Sequence, residues 1–324
     1  MFTPPPRKQQ IIAWVVVGVL AIFVIAIVAN MNGSKDSKDE TAKPKVQPES
    51  VQTKESPEVE KEKPLVTQTQ KTIEEPIPNK ETESKTNSFQ DSGDFYAVYR
   101  PGNNPKLEAF EKALQEGKAL EIITNGLNSK LKLPRDVPII LQECRTANAY
   151  YDSNKKELVF CYELIVYYYV IFTGLGYDSQ DALGKTAEVF SFVVFHELGH
   201  ALINLYDLPT TGMEEDSADQ LATLIMSKQE AGSQALKTTA IWFAFEGVRE
   251  SMKDRLPFWD EHSLSQQRLY NVLCWTYGSD PEKYSSLVGK NLLPGERAVK
   301  CTSEYEKMSK SWRALLSPYS DLKI

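Results

Sequence analysis

Histidine is almost missing from this chain, which has three in 324 residues. Cysteine is nearly as scarce, at four, and no two of them stand in C-x-x-C spacing, which argues against a thiolate zinc site. Excess positive charge is also lacking. With 37 Lys plus Arg against 44 Asp plus Glu the net charge is -7, so no nucleic-acid partner is expected. No internal repeat occurs. Long uncharged apolar runs are absent too, with one exception: IIAWVVVGVLAIFVIAIVA, from Ile11 to Ala29.

Nineteen residues at helical rise span roughly 30 Å, the thickness of a bilayer's hydrocarbon core. Arg7 and Lys8 precede the run with no acid beside them, which places the N-terminus in the cytoplasm. Residues 1–30 are therefore expected to be a cytoplasmic N-terminus and a single-pass anchor in the inner (cell) membrane, with membrane contact through residues 11–29. Everything after them would face the periplasm. The alternative is a signal peptide cleaved after Ile27-Val28-Ala29 and a secreted product, although signal cores are usually shorter, about 7–15 residues.

Aromatic residues then all but vanish. From Gly33 to Asp94 there are ten Lys, fourteen Asp plus Glu, six Pro and one Phe, with no Trp, Tyr or Cys. Such a stretch cannot bury enough apolar surface to offset its ordering entropy. Residues 31–94 are expected to be a disordered, charge-extended stalk.

Residues 95–324 have the composition of one folded domain. Leu107–Leu127 reads as an amphipathic helix and Val137–Glu143 as a strand. Asn148–Asp152 and Glu157–Cys161, joined by a polar turn, read as a hairpin. Helical patterns follow at Glu163–Phe172, Asp181–Tyr206, Asp216–Lys228, Ala235–Met252, Ser263–Tyr277 and Gly295–Leu316. A small sheet followed by helices predicts an α+β domain. All four cysteines, Cys144, Cys161, Cys274 and Cys301, lie in this exported part, so two disulfides are expected, with local pairing 144–161 and 274–301.

The scarce histidines are not scattered. FHELGHALINLYDLPTTGMEEDSAD runs from Phe195 to Asp219 and holds two of the three. On a helix, His196 and His200 project from one face, one turn apart, so that two ring nitrogens can reach a single ion. Glu197 lies about 100° further round, able to address a water on that ion without ligating it. Gly199 is a costly residue in a helix interior, which predicts a close approach on its face. Beyond the breakers Pro209 and Gly212, Glu215 and Asp219 share one face of the next helix. One of them can complete a His₂Glu site while the other orients a ligand histidine.

HELGH followed by E-x-x-A-D resembles the glutamate-ligand zincin metallopeptidases. With NAYYD, CYEL, HSLSQQRLYNVLCWTYGSDP and LPGERAVKCTSEY, most of Cys144 to Tyr305 resembles a bacterial family of metallopeptidases to which no function is assigned. The resemblance implies a zincin-like fold, one Zn²⁺ per chain and a peptide or protein substrate. It makes His196, His200 and Glu215 the metal ligands, Glu197 the general base and Asp219 the partner of a ligand histidine. Fourteen residues between His200 and Glu215 is short for that class, so Glu214 and His262 stand as alternative third ligands. Oxyanion stabilisation falls to His262, Arg268 or Tyr270. His262 is taken as a catalytic residue, against a reading in which Ser263 and Gln266 form a capping box and His262 simply packs before it. Tyr167–Tyr169 and Phe172 read as core. The hairpin, by the same resemblance, offers an edge strand to an extended peptide. The rival to a membrane-anchored peptidase is a catalytically silent zincin-fold scaffold, tethered to recruit partners.

Overall fold

The computed structural model describes residues 89–104, 107–289, 292–322 and 324. The expected anchor and nearly all of the expected stalk lie outside them. Among the described residues, no helix is long and apolar enough to cross a membrane.

Strand β2 (Val137–Gln142) is the centre of the sheet, and its sequence shows why. Ile139, Ile140 and Leu141 are all buried, as a strand covered on both faces requires. Its neighbours are β1 (Phe95–Tyr99) and β4 (Glu157–Cys161), both parallel to it, in the registers Ala97↔Ile139 and Ile140↔Val159. Strand β3 (Ala149–Asp152) returns antiparallel along β4 and forms the outer edge, giving the order β1-β2-β4-β3. The expected hairpin is present. Strand β1 was not anticipated, because FYAVY alternates weakly and borders a charged segment.

The chain folds earlier than residue 95. Phe89 packs edge-on against Tyr206 and Tyr319, Ser92 N–H donates to Leu133 O at 2.8 Å, and Asp94 N–H donates to Asp136 Oδ1 at 2.9 Å. The apolar Phe89 therefore belongs to the core and not to a stalk.

The single helix expected over Leu107–Leu127 is two, α1 (Glu108–Glu116) and α2 (Ala119–Asn128). Gly117 ends the first, and Lys118 turns through the left-handed region at φ 54 with its N–H on Gln115 O. The remaining helices follow the sequence patterns within a few residues: α3 (Tyr162–Gly174), α4 (Ser179–Leu205), α5 (Glu214–Ser227), α6 (Glu230–Ser251), α7 (Ser265–Ser279) and α8 (Gly295–Leu316). The result is the α+β arrangement expected, a small four-stranded sheet with a mostly helical remainder.

Helix α4 is the spine. Asp178 caps it by accepting from Asp181 N–H at 2.9 Å, and at 27 residues it runs about 40 Å through the core. Apolar residues surround it on nearly every side, which commits it to burial between the sheet and helices α3, α5 and α6. The two disulfides pair locally. Cys144–Cys161 ties the loop after β2 to the end of β4, and Cys274–Cys301 joins α7 to α8.

Candidate metal centre

Helix α4 carries His196, Glu197 and His200 toward its C-terminal end, where it packs against α5. The close approach predicted at Gly199 is supplied by Ala218: a β-carbon on Gly199 would stand 2.8 Å from Ala218 Cα. With no side chain between them, α5 comes near enough for the carboxylates either side of Ala218 to meet the histidines. Glu215 reaches the centre and Asp219 lies behind it.

Glu215 is the hub. Its Oε2 is 3.1 Å from His196 Nε2 and 2.9 Å from His262 Nε2, and its Oε1 is 3.3 Å from His200 Nε2. The two α4 imidazoles present Nε2 to each other at 3.3 Å. Donors held tetrahedrally at about 2.0–2.1 Å from one zinc stand about 3.3 Å apart. The observed separations fit that figure. Glu215 Oε2 is buried, yet neither nearby imidazole makes a well-directed hydrogen bond to it. Atoms this close that do not point along hydrogen bonds are placed as ligands of a common centre are placed.

The outer nitrogens complete the pattern. His196 Nδ1 lies 2.9 Å from Asp219 Oδ1, His200 Nδ1 2.8 Å from Glu214 Oε1, and His262 Nδ1 3.2 Å from Asp260 Oδ1. Each ring thus has a carboxylate behind it and its Nε2 directed inward, the support that metal-binding histidines need. Glu214 therefore occupies the outside of His200 and not the third-ligand position allowed for it. The reason is helical geometry: adjacent residues on α5 diverge by about 100°, so only one of Glu214 and Glu215 can face the centre.

Asp219 is fully engaged. Arg268 donates to both its oxygens, Nε to Oδ2 at 2.8 Å and a terminal nitrogen to Oδ1 at 2.7 Å, while its guanidinium lies 4.5 Å above the Phe243 ring. This removes Arg268 from the oxyanion candidates, since its charge is already paired. Tyr270, two residues further along α7, is exposed. His262 faces the centre, its Nε2 against Glu215.

His262 does not merely pack before a helix. Its helix, α7, begins two residues later than expected, at Ser265, and the Gln267 side chain accepts from Leu264 N–H at 3.0 Å. Ser263, expected as the cap, donates instead to Asp216 Oδ1 at 2.9 Å, and Ser265 bonds Glu250 through both its N–H and its hydroxyl. These bonds pin the segment that delivers His262, whose side chain is still 43% exposed. Asp260 and Glu250 were not singled out in the sequence. Asp260 could have been, because an Asp two residues before a His can accept from its backbone N–H, as it does here at 2.9 Å.

Protonation follows from the same contacts. Burial opposes charge on His196, but Asp219 and Glu215 outweigh it and raise its pKa to about 9. His200 is raised likewise, against burial, chiefly by Glu215. For His262 the Glu215 contact dominates and also raises it. Glu215 is held well below the usual carboxylate range despite its burial, by the three imidazoles. Glu215 thus favours positive charge at all three rings, the charge that a metal ion would bring. Glu197 is different: burial pushes its carboxyl upward, toward holding a proton, with the neighbouring imidazoles opposing.

The aromatic run was read as core, and Tyr168 and Phe172 are buried. Tyr167 is only partly so; its hydroxyl joins Glu246 and Arg249 on α6, a link that no local pattern announced.

Residues 99–316 match the profile of a family described as "Putative metallopeptidase", which covers about two thirds of the chain. No curated protein and no solved structure matches it. The chain belongs to that metallopeptidase family.

Proposed function

We propose that this metallopeptidase is a zincin-like, zinc-dependent hydrolase of peptide bonds, with His196, His200 and Glu215 as ligands and Glu197 as general base. The observation that carries it is the convergence of three inward Nε2 atoms on the Glu215 carboxylate, those of His196 and His262 on its buried, poorly hydrogen-bonded Oε2 and that of His200 on Oε1. The donor set, two imidazoles and a carboxylate with carboxylates behind the rings, suits zinc. Zinc supplies Lewis acidity, making water nucleophilic near neutral pH and polarising the scissile carbonyl.

The chain's own residues do the rest. Glu197, raised by burial, takes a proton from the attacking water and passes it to the leaving nitrogen. Asp219, held by Arg268, keeps His196 in the tautomer that presents Nε2 inward. His262, partly exposed and directed at the Glu215 carboxylate, stabilises the developing oxyanion in this reading. Strand β3, at the sheet edge, offers main-chain partners to an extended substrate. In this reading residues 11–29 anchor the enzyme and the charged segment after them holds the domain, about 89–324, away from an inner membrane on its periplasmic side.

The test compares the unaltered chain with Glu197→Gln, both loaded with zinc, on a mixed peptide library. Cleavage by the first and not the second is expected. Equal products from both would refute Glu197 as base. One zinc per chain with no cleavage by either would favour the tethered scaffold.

A further inference from the structure

Between α6 and α7 the chain does something that stability does not ask for. Phe258 and Trp259 are the most exposed aromatic side chains among the described residues, at 77% and 69%. Asp260 N–H donates to Pro257 O at 3.0 Å, so residues 257–260 close a tight turn with the two rings at its central positions. Turn corners ordinarily hold Asp, Asn, Ser or Gly. Two rings left in water forgo roughly 1.5–3 kcal/mol of burial each. Arg255 lies over Trp259, its guanidinium 5.4 Å from the ring centre.

The turn is joined to the metal centre. Asp260 accepts from His262 N–H and supports its Nδ1, and His262 Nε2 is 2.9 Å from Glu215. Trp259 and His262 are three positions apart, so their α-carbons lie within about 11 Å. A second apolar side chain, Met213, is exposed immediately before Glu214 and Glu215. Exposed apolar side chains therefore stand next in sequence to two of the three segments that supply the centre.

We propose that Phe258 and Trp259 recognise a bulky apolar side chain of the substrate, close to the bond being cut. This rests on the peptidase reading above. A peptide is favoured over a lipid surface by the charges beside the rings. Lys253 and Arg255 are outnumbered by Asp254, Asp260 and Glu261, so an anionic bilayer would gain no net attraction. A substrate, moreover, is the one partner that has to reach the centre to which this turn is bonded. Occupation of the turn also steadies Asp260 and with it His262, which links recognition to the catalytic geometry.

The experiment uses the full chain loaded with zinc and blocked hexapeptides that differ only in carrying Phe or Ala at one position, scanned along the peptide. Unaltered protein should prefer the Phe peptide at one position by about tenfold or more in kcat/KM. In the double variant Phe258→Ser, Trp259→Ser that ratio should fall to near one, with zinc content and Tm unchanged. A ratio that survives the double variant overturns the proposal. A second readout does not need turnover: indole emission of Glu197→Gln protein is titrated with each peptide, with Glu197→Gln, Trp259→Phe as reference. A Trp259 response to the Phe peptide alone supports recognition even if no peptide is ever cleaved, in which case the catalytic reading fails and this one stands. A Trp259 blue shift with phosphatidylcholine–phosphatidylglycerol vesicles and none with peptides overturns it in favour of a membrane surface.

Discussion

Gly199 and Ala218 touch backbone to backbone, with Ala218 Cα 2.8 Å from where a β-carbon of Gly199 would lie. Gly199 sits between the two α4 histidines, and Ala218 between Glu215 and Asp219. The spacing of these two helices is therefore the spacing of the metal centre. Gly199→Ala gains helix propensity but must push α5 away, at about 1–3 kcal/mol of overpacking. We expect a lower Tm together with weaker zinc binding in a chelator competition. A variant as stable and as tight as the unaltered protein would show that the contact does not set the site.

Arg268 is expected to be needed for folding more than for chemistry. Removing it strands the Asp219 carboxylate, which is buried beside His196, and breaking such a pair from one side costs about 3–5 kcal/mol. Arg268→Met should show that loss in chemical denaturation. Arg268→Lys should not rescue it fully, because a lysine cannot reproduce the two-pronged contact. Asp219→Asn in the Arg268→Met background should cost much less than it does alone.

Metal content separates the ligands from the residue beside them. His196→Ala, His200→Ala and Glu215→Gln should each lose bound zinc, whereas His262→Ala should keep it and lose rate. For unaltered protein, free zinc at a hundred times Kd should add about 2.7 kcal/mol of stability, and a chelator should lower Tm. Glu215→Gln should show little of either effect. Loss of zinc from His262→Ala equal to that from Glu215→Gln would make His262 a ligand.

Away from the centre, Glu188 gives a pH signature. Burial raises its pKa above the ordinary 4.5, with Thr238 and Lys185 opposing. The unfolded chain releases this proton near 4.5 while the fold retains it to higher pH. Over that interval the unfolded state binds fewer protons, so stability falls as pH rises and levels off once the folded carboxyl has ionised. Glu188→Gln keeps an acceptor for the Thr238 hydroxyl and removes the titration. Its Tm should exceed that of unaltered protein at pH 7, with the advantage shrinking toward pH 4. Parallel Tm–pH curves would count against this account.

Local text reported well on whatever short-range geometry decides. The helical spacing of His196 and His200 and the glycine signal at Gly199 were legible, as were the turn between β3 and β4 and the even, local set of cysteines. Strand β1 was not, because its identity comes from lying beside Val137–Leu141 and not from its own alternation. The break at Lys118 was written in Gly117 but overshadowed by apolar residues that continue the helical period across it. Arg268 stands in the sequence as one of three open oxyanion candidates, and only its contact with Asp219, 49 residues earlier, reveals that its charge is paired.

By itself the sequence determined the chemistry on offer: two imidazoles and a carboxylate at helical spacing, acids to follow, and almost no other histidine to compete. Periodicity and residue type suffice for that, because they act over one or two turns. Which acid faces the centre, which stands behind a ring, and where His262 points were decided only by the tertiary structure. Those choices depend on how closely α4 and α5 pack at Gly199 and Ala218, and on the hydrogen bonds that hold the start of α7. They are distances between segments far apart in the chain, and no local pattern encodes them.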